Sequence, residues 1–139
     1  MRTIPTRLSE NGLIVHNNKV KKILLVDDES DICITLASIL GDNGFAVDTF
    51  DDPLLVLENF RKDFYDLLIL DIKMEKMNGL ELYKEIKKID NKVKICFLTT
   101  SKFNYQAFID VLSDLNENEI IQKPIENKEL IKIINEMVN

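Results

Sequence analysis

Five consecutive residues limit the fold more than any other stretch of the chain: Leu67-Leu68-Ile69-Leu70-Asp71. Four aliphatic residues without a polar interruption suit a strand covered on both faces, which is the situation of a strand in a parallel sheet. The acid that ends the run then sits at the carboxyl end of its strand, the edge where open α/β sheets bind ligands. Inside the core, an unpaired carboxylate costs several kcal/mol or more, so Asp71 must lie at the rim with partners.

The same pattern recurs in Lys22-Ile23-Leu24-Leu25-Val26-Asp27 and, ending in hydroxyls, in Val93-Lys94-Ile95-Cys96-Phe97-Leu98-Thr99. Between these runs the apolar spacing becomes helical. Ser30 or Asp31 is expected to cap a helix with Ile32, Leu36, Ile39 and Leu40 on one face, closed by Gly44. Phe45 to Phe50 alternates as a strand near the sheet edge. Asp52 and Pro53 read as the cap and first residue of a helix that turns Leu54, Leu57 and Phe60 inward. The loop Met74 to Asn78 and then Gly79 precede a helix from Leu80 to Ile89, with Leu80, Leu82, Tyr83, Ile86 and Ile89 inside. Tyr105 to Leu115 is expected to be a helix, Glu119 to Gln122 a short strand, and Asn127 to Val138 a last helix. The order βαβαβαβαβα calls for right-handed crossovers and a parallel sheet with helices on both faces.

A chain of 139 residues favours one domain. It is read as an N-terminal extension over residues 1–20, flexible or loosely docked, followed by a domain over 21–139. No apolar run approaches the ~20 residues that cross a bilayer. Met1 to Arg7 lacks the apolar segment of a signal peptide, so a cytoplasmic protein with no membrane association is expected. The net charge of −6 is uneven: residues 1–22 hold five basic residues and one acidic, leaving a body of balance −10. An acidic body argues against nucleic-acid binding by this domain and suits a carboxylate cluster that holds a cation. Cys33 and Cys96 lie in apolar segments and read as buried reduced thiols. With a single histidine, His16, in a polar tail, a zinc site of the usual kind and a histidine-activated nucleophile are both set aside.

The strand ends carry Asp27-Asp28, Asp71, Thr99 and Lys123, and in a parallel sheet all four ends share one rim. Three carboxylates gathered there repel one another, and a divalent cation relieves the repulsion. Oxygen ligands select Mg²⁺ or a similar hard ion. Lys123 adds a fixed positive charge and a hydroxyl supplies a donor, Thr99 being preferred to Thr100 because it directly follows the apolar run. This set would hold a tetrahedral oxyanion such as a phosphoryl group against Asp71, and carboxylates can act as nucleophiles toward phosphorus.

In Ile23-Leu24-Leu25-Val26-Asp27-Asp28-Glu29, Leu70-Asp71-Ile72, Met77-Asn78-Gly79, Leu98-Thr99 and Lys123-Pro124, the sequence resembles a response-regulator receiver domain of two-component signalling over roughly residues 21–139. The resemblance implies a doubly wound, flavodoxin-like α/β fold, its five-stranded parallel sheet in the order 2-1-3-4-5. It implies that Asp71 accepts a phosphoryl group from the phosphohistidine of a sensor histidine kinase or a phosphotransfer protein. Asp27, Asp28, Asp71 and the backbone carbonyl of Lys73 would hold Mg²⁺, with Mn²⁺ as a substitute. Thr99 and Lys123 would contact the phosphoryl oxygens, and the Lys123-Pro124 bond would be cis. The positions of Lys73 and Ser101 would tune the loss of the phosphoryl to water, and an effector would be reached through the face of Tyr105–Val138.

Three features depart from the family pattern. Glu75 stands in place of a proline. Ile120, expected with Thr99 to form the switch, replaces an aromatic residue that swings as the threonine moves, and an isoleucine cannot present the same two-position switch. The segment Asp114 to Glu119 lacks the usual glycine-alanine turn. Two other functions compete: a receiver-like interaction module never phosphorylated, and an aspartyl-nucleophile phosphohydrolase. The hydrolase would place an acid two residues after the nucleophile, where this chain has Lys73. Dinucleotide binding fails because no glycine-rich turn follows the first strand. The expectation is a signalling switch rather than a turnover enzyme, monomeric or weakly dimeric.

Overall fold

Side chains on a strand point alternately to opposite faces, so a run of aliphatic residues asks for cover on both sides. The computed structural model, which describes residues 7–8, 14–15, 20–99 and 120–139, supplies that cover. In order, its elements are β1 (Arg7–Leu8), β2 (Ile14–Val15), β3 (Lys22–Val26), α1 (Ser30–Asp42), β4 (Ala46–Phe50) and α2 (Pro53–Asn59). Then follow β5 (Leu67–Asp71), α3 (Gly79–Ile89), β6 (Lys94–Thr99), β7 (Ile120–Gln122) and α4 (Asn127–Val138). Strands β3 to β7 form one sheet in the order β4-β3-β5-β6-β7, with every neighbouring pair parallel. Counted within that sheet the order is 2-1-3-4-5, as expected. β1 and β2 form a separate antiparallel pair, Arg7 opposite Val15 and Leu8 opposite Ile14.

The strand periodicity builds two cores. Leu24, Val26, Leu68, Leu70, Ile95 and Phe97 face one side, where Val56 of α2 and Leu82 and Ile86 of α3 close over them. Ile23, Leu25, Leu67, Ile69, Cys96 and Leu98 face the other, beneath Leu40 of α1 and Leu130 and Ile134 of α4. β5, in the middle of the sheet, is buried along its whole length.

Several local expectations change. Glu29 occupies the N-cap of α1 without a side-chain bond, so neither Ser30 nor Asp31 caps it. The turn before α1 is instead held by Asp27, whose carboxylate accepts the Glu29 N–H at 3.0 Å. Leu54 and Ile89 are exposed rather than inward. The short helix α2 directs Pro53 and Val56 at the sheet, leaving Leu54 on the outer side, and Ile89 is the last residue of α3. Gly44 closes α1 as expected, at φ +92°, a left-handed conformation that favours glycine. Asp52 caps α2 through the Leu54 N–H at 2.9 Å, with Pro53 in the first position. The expected helix from Tyr105 to Leu115, the Asp114 to Glu119 turn and nearly all of the 1–20 extension lie outside the described residues.

Candidate functional site

The chain leaves β3 toward β4 on one side and returns to β5 on the other. The loops that follow β3 and β5 therefore run to helices on opposite faces, α1 and α3, and leave a crevice between them, the usual ligand site of such sheets. Asp27 follows β3, Asp71 ends β5, Thr99 ends β6 and Lys123 follows β7. Carboxylate oxygens of Asp27, Asp28 and Asp71 lie within 4.8 Å of one another. Asp27 is 1% exposed and Asp71 6%, with Asp28 the most accessible of the three. Lys123 Nζ donates to Asp27 Oδ2 at 3.1 Å, bringing together residues 96 positions apart.

The oxygens differ in how they are satisfied. Asp27 is occupied on both sides, by Lys123 on Oδ2 and by the Glu29 N–H on Oδ1. Asp28 Oδ2 accepts the backbone N–H of Glu75 at 3.3 Å. Asp71 Oδ1 is buried and has no hydrogen-bond partner among the described residues. Burial, and then the charge of Asp27, push the Asp71 carboxyl up to about 6, while Lys123 and the backbone N–H of Lys73 oppose the rise. An orphaned anionic oxygen beside two further carboxylates, with one ammonium nearby, is a site short of positive charge. All the donors are hard oxygens, so the residues fit Mg²⁺ or a close relative better than a soft metal.

The backbone around Asp71 is held closely. The Ile72 N–H donates to Leu98 O at 3.2 Å, and the Gly79 N–H donates to Ile72 O at 2.8 Å. A Cβ on Gly79 would overlap the Asp71 carbonyl oxygen and stand 3.0 Å from its carbon, so glycine is needed for this approach. Asn78 and Glu81 form a reciprocal capping box that starts α3 directly after it. On the far side, the Lys123 N–H donates to Thr99 O at 2.7 Å, and the Lys123-Pro124 bond is cis as expected.

Of the residues singled out from the sequence, Asp27, Asp28, Asp71 and Lys123 meet directly, and Thr99 lies buried at the end of the adjacent strand. The Lys73 side chain is exposed beyond Asp71. Ile120 is half-buried, opposite Phe97 in the ladder and packed on the core that α2 and α3 cover. Ser101 and Thr100 lie outside the described residues. Three neighbours were not singled out for the site. The Cys33 thiol donates to Asp27 O at 3.2 Å beneath the cluster. The Glu75 N–H reaches Asp28, and Lys76 Nζ pairs with Asp52 Oδ2 at 2.7 Å. A backbone N–H has no side-chain signature, so Glu75 could not have been found by motif. Cys33 was legible only as one more apolar position of α1.

Comparison with known proteins gives the same picture. The sequence matches the response regulator receiver domain family over residues 23–135. A CpxR homologue from Haemophilus influenzae, a transcriptional regulatory protein, is 33% identical over 112 residues, covering 81% of this chain and 48% of that protein. The chain thus spans about half the length of the first curated relatives it matches. The chemotaxis protein CheY of Bacillus subtilis is 29% identical, covering 85% of this chain and 98% of CheY. The response regulator TrrA of Thermotoga maritima, solved in complex with Mg²⁺-BeF, is 31% identical with a TM-score of 0.71, covering 85% and 99% of the two chains. No helix among the described residues is long and apolar enough to cross a membrane. With the sheet order, the acid-rich crevice and a family match spanning most of its length, the chain belongs to the response regulator receiver domains, the phosphoacceptor domains of two-component signalling.

Proposed function

We propose that Asp71 is the phosphoacceptor of this domain. The observation that carries the reading is the buried, unpartnered Asp71 Oδ1 within 4.8 Å of the Asp27 and Asp28 carboxylates, with Lys123 Nζ held across the crevice by Asp27. A carboxylate oxygen of Asp71 attacks the phosphorus of a phosphohistidine. The P–N bond breaks, its electron pair stays with the imidazole, and an aspartyl phosphate forms. Lys123 is placed to leave Asp27 and meet the phosphoryl oxygens as their charge shifts, and the Thr99 hydroxyl donates to the same group. Asp27, Asp28, Asp71 and the backbone carbonyl of Lys73 would hold Mg²⁺, or Mn²⁺ in its place, which supplies charge neutralisation for the transferred group. The relative solved with Mg²⁺-BeF supports this assignment.

The donor is a sensor histidine kinase or a phosphotransfer protein in the cytoplasm, and the two free, buried cysteines suit a reducing compartment. Phosphorylation alters Thr99 and, on the adjacent strand β7, Ile120, and an effector reads the change on the Tyr105–Val138 face. An isoleucine packed beside Phe97 has no ring to rotate, so the readout runs through a shift of β7 and α4. Lys73 and Ser101 set how fast water removes the phosphoryl. If the Lys73 ammonium overhangs the site, Lys73→Ala changes the rate of phosphate loss; equal rates would remove that role.

Incubation with Mg²⁺ and acetyl phosphate tests the central claim. The expected result is a mass increase of one phosphoryl group per chain, absent in Asp71→Asn. Continuous phosphate release would point to a hydrolase. No modification, together with no Mg²⁺ binding, would point to an interaction module that is not phosphorylated.

A further inference from the structure

The helix α4 runs the length of the sheet, and its two ends are held differently. Its 12 residues span about 18 Å, close to the ~17 Å covered by the six residues of β6. Leu130, Ile134 and Val138 seat one face of it on the core. At the carboxyl rim its first turn has no side-chain cap from Glu126. The chain enters that turn from Lys123, whose ammonium holds Asp27 at 3.1 Å and whose N–H holds Thr99 O at 2.7 Å. At the opposite rim the last turn is tied across the fold. Lys94 Nζ, on the first residue of β6, donates to Met137 O at 2.6 Å, bridging 43 positions. The last turn has no basic residue of its own, so Lys94 supplies the cation that the orphan carbonyls and the negative helix end favour. β6 itself is paired on both sides, with β5 and β7, and is buried from Ile95 to Thr99. One strand thus carries the buried threonine of the site at one end and the anchor of α4 at the other.

We propose that Lys94 is a positioning residue that pins the last turn of α4 to β6, so that a signal entering at Lys123 swings the first turns of the helix about a fixed last turn. The inference rests on the phosphoryl transfer to Asp71 assigned above. When Lys123 leaves Asp27 for the phosphoryl oxygens, the short segment from Lys123 to Glu126 shifts, and the uncapped end of the helix follows it. The pin keeps the far end from following as part of a rigid rod. A charge-assisted bond to a carbonyl is stronger than a neutral one, and losing it at an exposed helix end frees that end locally rather than unfolding the domain. The surface that changes on phosphorylation is then the one around Asn127, Lys128, Glu129 and Lys132, all exposed. The end at Met137 and Val138 stays the same in both states.

The test is amide hydrogen exchange of the full chain, read residue by residue in Mg²⁺ with and without excess acetyl phosphate, with circular dichroism to confirm folding. In the wild type, acetyl phosphate is expected to change exchange at Leu130, Ile131 and Lys132 by about threefold or more, and at Glu136, Met137 and Val138 by less than about 1.5-fold. Lys94→Met removes the ammonium and keeps an unbranched side chain. It is expected to speed exchange at Glu136, Met137 and Val138 about threefold to tenfold without acetyl phosphate. It is also expected to extend the phosphorylation-dependent change to those three residues, while one phosphoryl group is still added at the wild-type rate. Lys94→Arg keeps a cationic donor and is expected to restore the confined pattern. In the phosphorylated wild type, a change at Met137 as large as at Ile131, or no change at either, would overturn the proposal. So would faster exchange in Lys94→Met without spread of the phosphorylation effect, the result of a bond that only stabilises the helix end. A wild type that gains no phosphoryl group would overturn the transfer to Asp71, and with it the signal that the pin confines.

Discussion

Replacing Asp71 by asparagine should make the metal-free protein more stable at neutral pH while abolishing phosphorylation. Asp71 is 6% exposed, one of its oxygens has no partner among the described residues, and its carboxyl is pushed from 3.8 up to about 6. A carboxyl that titrates higher in the folded state binds its proton more tightly there than in the unfolded chain. Stability is therefore greatest below about 4, falls as pH rises toward about 6, and stays reduced above it. At about 1.4 kcal/mol per tenfold change in the proton equilibrium, the whole shift corresponds to roughly 3 kcal/mol. The site opens to water on one side, so about 1–3 kcal/mol is the expected gain for Asp71→Asn near pH 7.5. In urea unfolding with a slope of about 2 kcal/mol per molar, that moves the midpoint up by roughly 0.5–1.5 M. Near pH 4 the wild-type carboxyl is protonated in the folded state and the gain should largely vanish. Saturating Mg²⁺ should reverse the order at pH 7.5, because ligand binding stabilises only the form that can bind it. A variant no more stable than wild type at pH 7.5 in EDTA, or an advantage independent of pH, would refute the reasoning.

Three further outcomes follow from the same geometry. Gly79→Ala should cost about 2–3 kcal/mol in urea unfolding and slow acetyl phosphate labelling, because the added methyl meets the Asp71 backbone, which cannot step aside. Lys123→Met should destabilise the metal-free protein by about 2–4 kcal/mol, since it strands the buried Asp27 carboxylate. That loss should shrink in saturating MgCl₂ and would be absent if the pair were decorative. The Cys33 thiol, pushed up to about 11 chiefly by burial and then by Asp27, should resist alkylation at pH 8 until the chain unfolds, as followed by mass spectrometry of the labelled peptide.

Much of this protein was legible one residue at a time. The aliphatic runs of β3, β5 and β6 announced two-sided burial, and the helical spacing between them required crossovers, so the parallel sheet followed before any coordinates. The site was legible for the same reason, since strand ends in a parallel sheet share an edge, and Asp27, Asp28, Asp71 and Lys123 do meet there. Where local patterns misled, the residue pattern allowed two arrangements. Leu54 could have faced in or out of a short helix, and α1 could have begun on a side-chain cap instead of the Asp27 turn.

The sequence by itself determined the order of the described elements from β3 onward, the sheet and the identity of the charged groups, because hydrophobic period and strand direction are encoded locally. Tertiary structure alone decided which oxygen each donor reaches: Lys123 on Asp27, the Glu75 N–H on Asp28, and none described for Asp71 Oδ1. Those choices depend on distances of a few ångströms between segments up to 96 residues apart, and on backbone N–H groups that every residue but proline carries, so no residue type marks them.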